Sequence, residues 1–216
     1  MAYVLGFMYA DGSLDVNPRG SEYFSLHVAD KILLENIRNA LQSEHKIAHR
    51  KRKDGTGHYY RLQVGSKYMC NELRTIGLCK YKTHVMSLPN IPDEYLSHFV
   101  RGYFDGDGNV WIGEVHKNRK RSTFVMQTVF TSSSKKFLTS LQDQLINEGL
   151  GKGSVVMLQN AYRLQYSVKD SILLYRLMYR DTLGGLELSR KKKIFEKYLN
   201  IKNNTRKVHH RASNEK

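Results

Sequence analysis

Two aspartates occupy corresponding places in two similar stretches of the chain, and their surroundings suggest metal chemistry. Residues 6–12 read GFMYADG, and residues 102–108 read GYFDGDG, 96 positions further on. In each copy a glycine and a second small residue stand four apart, on one face of the predicted helix. Small residues on one face let two helix backbones approach closely. We therefore expect the two helices to pack about a pseudo-two-fold axis that brings Asp11 and Asp107 together.

Such a pair of acids favours a bound cation, because two carboxylates held close together repel each other. Carboxylate oxygens are hard ligands, so Mg²⁺ is the expected cofactor, with Mn²⁺ or Ca²⁺ able to replace it in binding. The metal would activate water and stabilise a leaving oxygen, as phosphodiester hydrolysis requires. A single Asp-Gly pair after a helix usually marks only a turn, but here the whole pattern is duplicated. Residues 105–116 do not fit a calcium-binding loop. Such a loop needs glycine at its sixth position and glutamate at its twelfth, where this chain has Val110 and His116.

The composition indicates a polyanionic partner. The 216 residues include 35 Lys and Arg against 20 Asp and Glu, a formal net charge of +15. Nucleic acid fits this excess best, ahead of a membrane surface. No run of about 18 apolar residues could span a bilayer, and no secretion signal is evident. Cys70 and Cys79 make no disulfide framework, which favours an intracellular protein.

The duplication extends beyond the two motifs. The sequence YRLQ occurs at residues 60–63 and again at 162–165, 102 positions later. Asp30 and Ser134 are predicted to cap a middle helix in each copy. Alternating patterns predict hairpins over 46–52 with 59–64 and over 154–158 with 162–168, and closing helices near 67–76 and 171–179.

Each copy therefore reads helix, two strands, helix, two strands, helix. The predicted class is α+β, with two pseudo-two-fold-related αββαββα repeats and the motif helices at their interface. The prolines at 89 and 92 suit a connector. We expect repeats over residues 1–88 and 89–202, followed by a flexible basic tail over 203–216.

These features resemble the LAGLIDADG family of homing endonucleases. The two motifs are VLGFMYADG at residues 4–12 and VRGYFDGDG at 100–108, and PNIPDE at 89–94 also resembles members with both motifs in one chain. The resemblance covers nearly the whole sequence. It implies two curved antiparallel sheets that form a DNA-binding saddle. It also implies a monomer that cuts both strands of a specific double-stranded DNA site across the minor groove, leaving 3′ overhangs, in an organellar matrix or bacterial cytoplasm.

The resemblance also assigns roles to individual residues. Asp11 and Asp107 would bind metal, helped by the backbone carbonyls of the preceding Ala10 and Gly106. A catalytic basic residue from each half would lie beside the scissile phosphates, for which Lys82 and Lys191 match by position. Lys192 and Lys193 leave the second register open by a residue or two, and a solvated basic face is the alternative for each lysine. Two residues before the motif acid, the family commonly has another acid. The second motif has Asp105 at this position, whereas the first has Tyr9, so the two metal sites are expected to be unequal. The chain begins three residues before the first motif, which is short for the family.

Strand alternation predicts the surface that reads DNA. Leu62 and Val64 suit the face packed on helices, which sends Arg61 and Gln63 to the opposite face. Arginine and glutamine suit guanine and adenine edges in the major groove, and basic hairpin residues suit phosphates. Ordinary exposed charge is the alternative for each residue. The candidate DNA-binding residues are Ser25, His27, Arg50, Arg52, Arg61, Gln63, Arg119, Arg121, Gln127, Arg163 and Gln165.

Two other functions compete with cleavage. The same fold without cleavage could serve as an intron RNA maturase or a DNA-binding regulator, although retention of both acids argues against it. An unrelated basic structural protein would not need the duplicated motif. No cysteine cluster suggests a zinc site.

Overall fold

The protein consists of two repeats of one αββαββα unit, as the sequence predicts. The structure, a computed structural model, describes residues 1–52, 55–78, 86–118, 122–182 and 185–214. The first repeat comprises α1 (Ala2–Asp11), β1 (Gly12–Val16), β2 (Glu22–Val28), α2 (Lys31–Ala40), β3 (Ile47–Lys51), β4 (His58–Gly65) and α3 (Lys67–Thr75). The second comprises α4 (Asp93–Asp107), β5 (Gly108–Val115), β6 (Thr123–Ser132), α5 (Lys135–Asn147), β7 (Ser154–Leu158), β8 (Ala161–Tyr166) and α6 (Val168–Tyr179), followed by α7 (Ser189–Asn214).

Each repeat forms one four-stranded antiparallel sheet. The strand orders are β1-β2-β4-β3 and β5-β6-β8-β7, so the two sheets share one topology. In the first sheet Leu26 pairs with Leu62, and both side chains are buried. In the second sheet Phe130 pairs with Leu164, and both are again buried. One face of each sheet therefore covers the core, and alternate residues point to the other face.

The middle helices begin at the predicted caps. Oδ1 of Asp30 accepts a 3.0 Å hydrogen bond from the backbone N–H of Leu33 at the start of α2. Oγ of Ser134 accepts a 3.2 Å bond from the N–H of Phe137 at the start of α5. Each cap satisfies a backbone donor that the helix itself leaves unpaired, typically worth about 1 kcal/mol.

The motif helices α1 and α4 pack directly on each other through their glycines. A Cβ atom on Gly6 would lie 2.1 Å from the carbonyl oxygen of Phe99, and one on Gly102 would lie 2.0 Å from that of Tyr3. No real side chain tolerates such contacts with backbone, so glycine is required at both positions. The predicted central interface between the motif helices is confirmed.

Helix α7 was not predicted, and it completes the core of the second repeat. Phe195 and Tyr198 are fully buried. The Phe195 ring lies 5.7 Å from that of Phe104, and Tyr198 stacks on Phe124 at 5.6 Å. The sequence signal was present in the helical spacing of Leu188, Phe195 and Tyr198, but the surrounding basic residues concealed it.

The polar segment at the carboxyl end is helical in the structure. α7 continues through residues 203–214, which the sequence predicted to be a flexible tail. Once a docked helix has formed, each further residue adds a hydrogen bond at little nucleation cost. The mobility of this segment stays a prediction. Among the described residues, no helix has the length and apolar character needed to cross a membrane.

Candidate metal centre and nucleic-acid interface

The two motif acids lie at the same end of the central helix pair. α1 ends at Asp11 and α4 ends at Asp107. The two helices run in the same direction, because contacts near Tyr3 involve Gly102 whereas contacts near Ala10 involve Gly106. The Cβ position on Gly106 lies 2.3 Å from the Cβ of Ala10 and 3.3 Å from Oδ2 of Asp11. The Asp11 carboxylate therefore lies against the last turn of α4, next to the residue that precedes Asp107.

A cavity of about 660 Å³ opens beside these helix ends. Asp11 and Gly106 contribute to its wall from the two motif helices. His27 and Tyr59 line it from the first sheet, and Arg190 lines it from α7. Groups from both repeats thus meet around one opening that carries both negative and positive charge.

The donor set at the helix ends fits Mg²⁺. Asp11 is exposed and Asp107 is half-buried, so both carboxylates can reach a solvated ion. Within the described parts of the chain, no cluster of three or more His, Cys, Asp or Glu side chains could hold a metal. Mg²⁺ often binds through one or two carboxylates and takes its other ligands from water and substrate phosphates. The carbonyl of Gly106 accepts a long 3.4 Å contact from Nζ of Lys191, and its second lone pair remains for a metal.

Lys191 caps the carboxyl end of α4. Its Nζ donates hydrogen bonds of 2.7, 2.8 and 2.6 Å to the carbonyl oxygens of Phe104, Asp105 and Gly108. α4 has no basic residue in its own last turn, and this lysine supplies the positive charge that a helix end favours. Burial lowers the pKa of Lys191 to about 8, while the charges of Asp105, Asp11 and Asp107 act in the opposite direction. A cation therefore lies within electrostatic reach of both motif acids and reduces their repulsion.

The position two residues before each motif acid anchors the segment that follows the repeat's closing helix. Oδ2 of Asp105 accepts 2.8 Å hydrogen bonds from the hydroxyl of Tyr3 and from the backbone N–H of Leu188. At the equivalent place in the first repeat, the hydroxyl of Tyr9 donates to the carbonyl of Ile76. Both side chains are about 1–2% exposed, so an acid and a tyrosine perform the same structural task.

Arg101 is a buried charge that the sequence did not single out. It is 1% exposed, and its Nε donates a 2.9 Å hydrogen bond to the carbonyl of Leu186. Its Nη2 lies 3.0 Å from Nδ1 of His98. The sequence signal was a charged residue between Val100 and Gly102, at the start of the second motif. Through these contacts Arg101 holds the chain that leads into α7.

The predicted base-reading residues share the face of the first sheet that points away from the core. Cross-strand pairing joins His27 with Arg61 and Ser25 with Gln63. Arg61 and Gln63 are half-buried and His27 is exposed, whereas Ser25 is only 2% exposed. Ser25 is short and lies on an inner strand, so its neighbours cover it more than alternation alone predicted.

The second sheet places its candidates in the same way. Arg163 pairs with Thr131, and Nε2 of Gln127 donates a 3.5 Å hydrogen bond to Oε1 of Gln165 on the neighbouring strand. In the first sheet, Arg50 and Arg52 are exposed beside the β3–β4 turn. Three predicted site residues lie outside the described residues, namely Lys82, Arg119 and Arg121.

Known proteins share this fold. The family model described as a LAGLIDADG-like domain matches residues 1–77, which run from α1 to the turn after α3. Comparison with curated proteins gives no match. The meganuclease I-AabMI bound to uncleaved DNA is similar in structure, with a TM-score of 0.66, 14% identity, and coverage of 96% of this chain and 92% of that chain.

Two further solved structures are similar over most of their length. The homing endonuclease I-WcaI, bound to its DNA recognition sequence, has a TM-score of 0.61 at 16% identity and covers 89% of this chain and 83% of that one. I-DmoI, in complex with DNA and Mn, has a TM-score of 0.58 at 16% identity, with coverage of 84% and 97%.

The chain therefore has the two-repeat α+β fold of the LAGLIDADG homing endonucleases. Residues 1–77, which contain the first motif, match the LAGLIDADG-like domain model, and this match together with the similar structures confirms the resemblance predicted from the sequence.

Proposed function

We propose that this protein is a site-specific homing endonuclease that hydrolyses both strands of double-stranded DNA with Mg²⁺. One observation carries the proposal. The parallel packing of α1 and α4 sets the carboxylate of Asp11 against the last turn of α4, which ends at Asp107. Two acids at one end of a symmetric helix pair provide one carboxylate for each strand of a duplex.

The chain's own residues would prepare the site for a metal and a phosphate. Asp11 and Asp107 would hold Mg²⁺, with the backbone carbonyls of Ala10 and Gly106 as further ligands. When bound, the metal would activate water and stabilise the leaving oxygen. Lys191 would fix the end of α4 and balance the charge of the two acids, since its Nζ binds three carbonyls there at 2.6–2.8 Å.

Basic side chains beside the acids would hold the scissile phosphates. Arg190 is exposed and lines the cavity next to Asp11. It lies one position before Lys191, whereas the alternatives left open by the sequence were Lys192 and Lys193. Lys82 is the proposed basic residue of the first half. We further propose cleavage across the minor groove with 3′ overhangs, by a monomer acting in an organellar matrix or bacterial cytoplasm.

Three features support DNA as the substrate. The chain carries a formal net charge of +15. Both sheets present polar residues on the face away from the core. Gln63 and Gln165, which occupy equivalent positions in the two repeats, are examples. Solved relatives of this fold are bound to DNA, and I-DmoI is bound to DNA and Mn. If several lysines and arginines contact phosphates, affinity should fall steeply as salt is raised.

The proposal is tested by cleavage selection from a randomised or genomic DNA library in Mg²⁺. We expect one enriched site cut on both strands, with cleavage lost in the Asp11→Asn and Asp107→Asn variants while binding persists. A wild-type protein that enriches one site when the same library is selected by binding, but leaves that site intact in Mg²⁺, would contradict cleavage. Stimulation of intron splicing by the double variant would then identify the maturase alternative.

A further inference from the structure

The two sheets differ in chemistry on their outer faces, meaning the faces opposite the buried core. On the second sheet, this face carries a group of apolar side chains. They are Trp111, Val125, Val129, Val156 and Leu158, placed together by the register of β5, β6, β7 and β8. Trp111 is 45% exposed, Val156 39% and Leu158 47%. An exposed aliphatic and aromatic surface of this kind is unusual where a charged polymer is to be bound.

The outer face of the first sheet has the opposite character. It presents aromatic hydroxyls, an imidazole, guanidinium groups and an amide, with the carboxylate of Asp15 on the edge strand β1. These residues are Tyr23, His27, Arg50, Tyr59, Arg61 and Gln63. Among the described strand residues that face this way, Ala48 is the one aliphatic side chain. Because the two repeats share one topology, the contrast comes from side chains at equivalent places.

The ring of Trp111 lies over a neighbouring glycine on the outer face. A Cβ atom on Gly113 would lie 2.4 Å from Cζ2 of Trp111, so the indole lies across Gly113 on the same strand. Trp111 pairs with Gln127, whose amide is bonded to Gln165. The apolar surface is therefore continuous with two glutamines, and Arg163 is the one charged side chain on the described strand residues of this face.

An apolar surface and a polar surface favour different base edges in the major groove. Thymine presents a 5-methyl group that favours apolar contact, adenine pairs well with glutamine, and guanine accepts hydrogen bonds from arginine. Apolar side chains against guanine or cytosine would leave polar edges without partners and would gain no methyl contact in return, which weakens binding.

We propose that the two sheets read half-sites of different composition. The second sheet takes a half-site rich in A·T pairs through their thymine methyl groups, and the first sheet takes a half-site that contains guanine. This inference rests on the proposed function, because it requires that the outer faces enter the major groove.

Selection of bound duplexes from a randomised library, in EDTA to prevent cleavage, tests the composition. The equivalent variants Gln63→Ala and Gln165→Ala assign the halves, since each should relax base preference on its own side only. We expect the half-site relaxed by Gln165→Ala to be rich in A·T pairs and the other to contain guanine.

Replacement of thymine by deoxyuridine tests the methyl contacts directly, because it removes the 5-methyl group and nothing else. In the A·T-rich half we expect affinity to fall about fourfold for each contacted methyl. The same replacement in the other half should change little, whereas 7-deazaguanine there, which lacks the N7 acceptor, should weaken binding. Val156→Ser, which removes both side-chain methyl groups, should reduce the discrimination between thymine and deoxyuridine, and Met157→Ser, on the opposite face of the same strand, should preserve it.

The outcomes separate the inference from the function on which it rests. A selection that enriches no sequence would overturn the proposed site-specific DNA binding. Enrichment of a defined site whose halves do not differ in A·T content, or whose thymines tolerate deoxyuridine on both sides, would overturn the half-site inference and leave the proposed function standing.

Discussion

The hydroxyl of Tyr3 donates a 2.8 Å hydrogen bond to Oδ2 of Asp105, and this bond joins the two repeats inside their helix interface. Asp105 is 2% exposed, and burial raises its pKa to about 6, although the bonds from Tyr3 and Leu188 act in the opposite direction. Its Oδ1 is buried and has no hydrogen-bond partner among the described residues. Asp105, in the second repeat, therefore receives one of its hydrogen bonds from the first repeat.

Removing the Tyr3 hydroxyl should destabilise the protein measurably. Tyr3→Phe keeps the ring that packs under Arg101 but leaves Asp105 with one fewer donor. Loss of a hydrogen bond to a buried polar group costs about 1–3 kcal/mol, and urea unfolding would measure it. Tyr95→Phe, at a tyrosine 48% exposed on α4, serves as the control. Equal stability of the two variants would show that the Tyr3 bond does not contribute.

The glycines of the helix interface should not accept even a methyl group. We expect Gly6→Ala and Gly102→Ala each to destabilise the fold by more than about 3 kcal/mol, because the new Cβ would lie 2.0–2.1 Å from backbone oxygen. Gly65→Ala is the matched control, since a Cβ there meets nothing within 4 Å. Thermal unfolding of the three variants checks this, and a native-like melting temperature for Gly102→Ala would contradict the packing described.

Lys191 should affect both stability and cleavage. In Lys191→Met the carbonyls of Phe104, Asp105 and Gly108 lose a charged donor, and the two motif acids lose a nearby cation. We expect a loss of about 1–3 kcal/mol of stability and a fall in cleavage rate of at least about tenfold. Lys197→Met, at an exposed position of the same helix, should change neither. A Lys191→Met protein with native stability and rate would exclude both roles.

His98 should make the stability depend on pH. Burial and the adjacent Arg101 lower its pKa from the ordinary value of 6.5, with Arg180 acting in the same direction and Asp181 in the opposite one. Because the unfolded chain then binds a proton more readily than the folded chain, the contribution of neutral His98 is present above about pH 6.5 and is lost as pH falls below it.

The difference between wild type and His98→Gln isolates that contribution from other titrating groups. We expect wild type to lose more of its melting temperature than His98→Gln when the pH is lowered from 7.5 to 5.0. Parallel profiles for the two proteins would show that the contact between His98 and Arg101 does not titrate.

The sequence alone determined the repeat and its secondary structure. Duplication of the motif and of YRLQ fixed the element order, and local signals such as the caps at Asp30 and Ser134 fixed where helices begin. These features depend on residues a few positions apart, so they can be read without knowledge of tertiary contacts. The same alternation correctly placed Arg61 and Gln63 opposite the core.

The tertiary structure alone decided what the buried polar groups do. The hydrogen bonds that join Asp105 with Tyr3, Arg101 with Met178, and Lys191 with Phe104 span 77–102 positions of the chain, and no local pattern specifies such contacts. The exposure of Ser25 likewise depends on the length of side chains on neighbouring strands. Charged groups can be buried only where other groups pair or hydrogen-bond with them, and here chain folding brings those partners together. The positions of the acids followed from the motif, whereas the cation and the anchors around them became visible only in three dimensions.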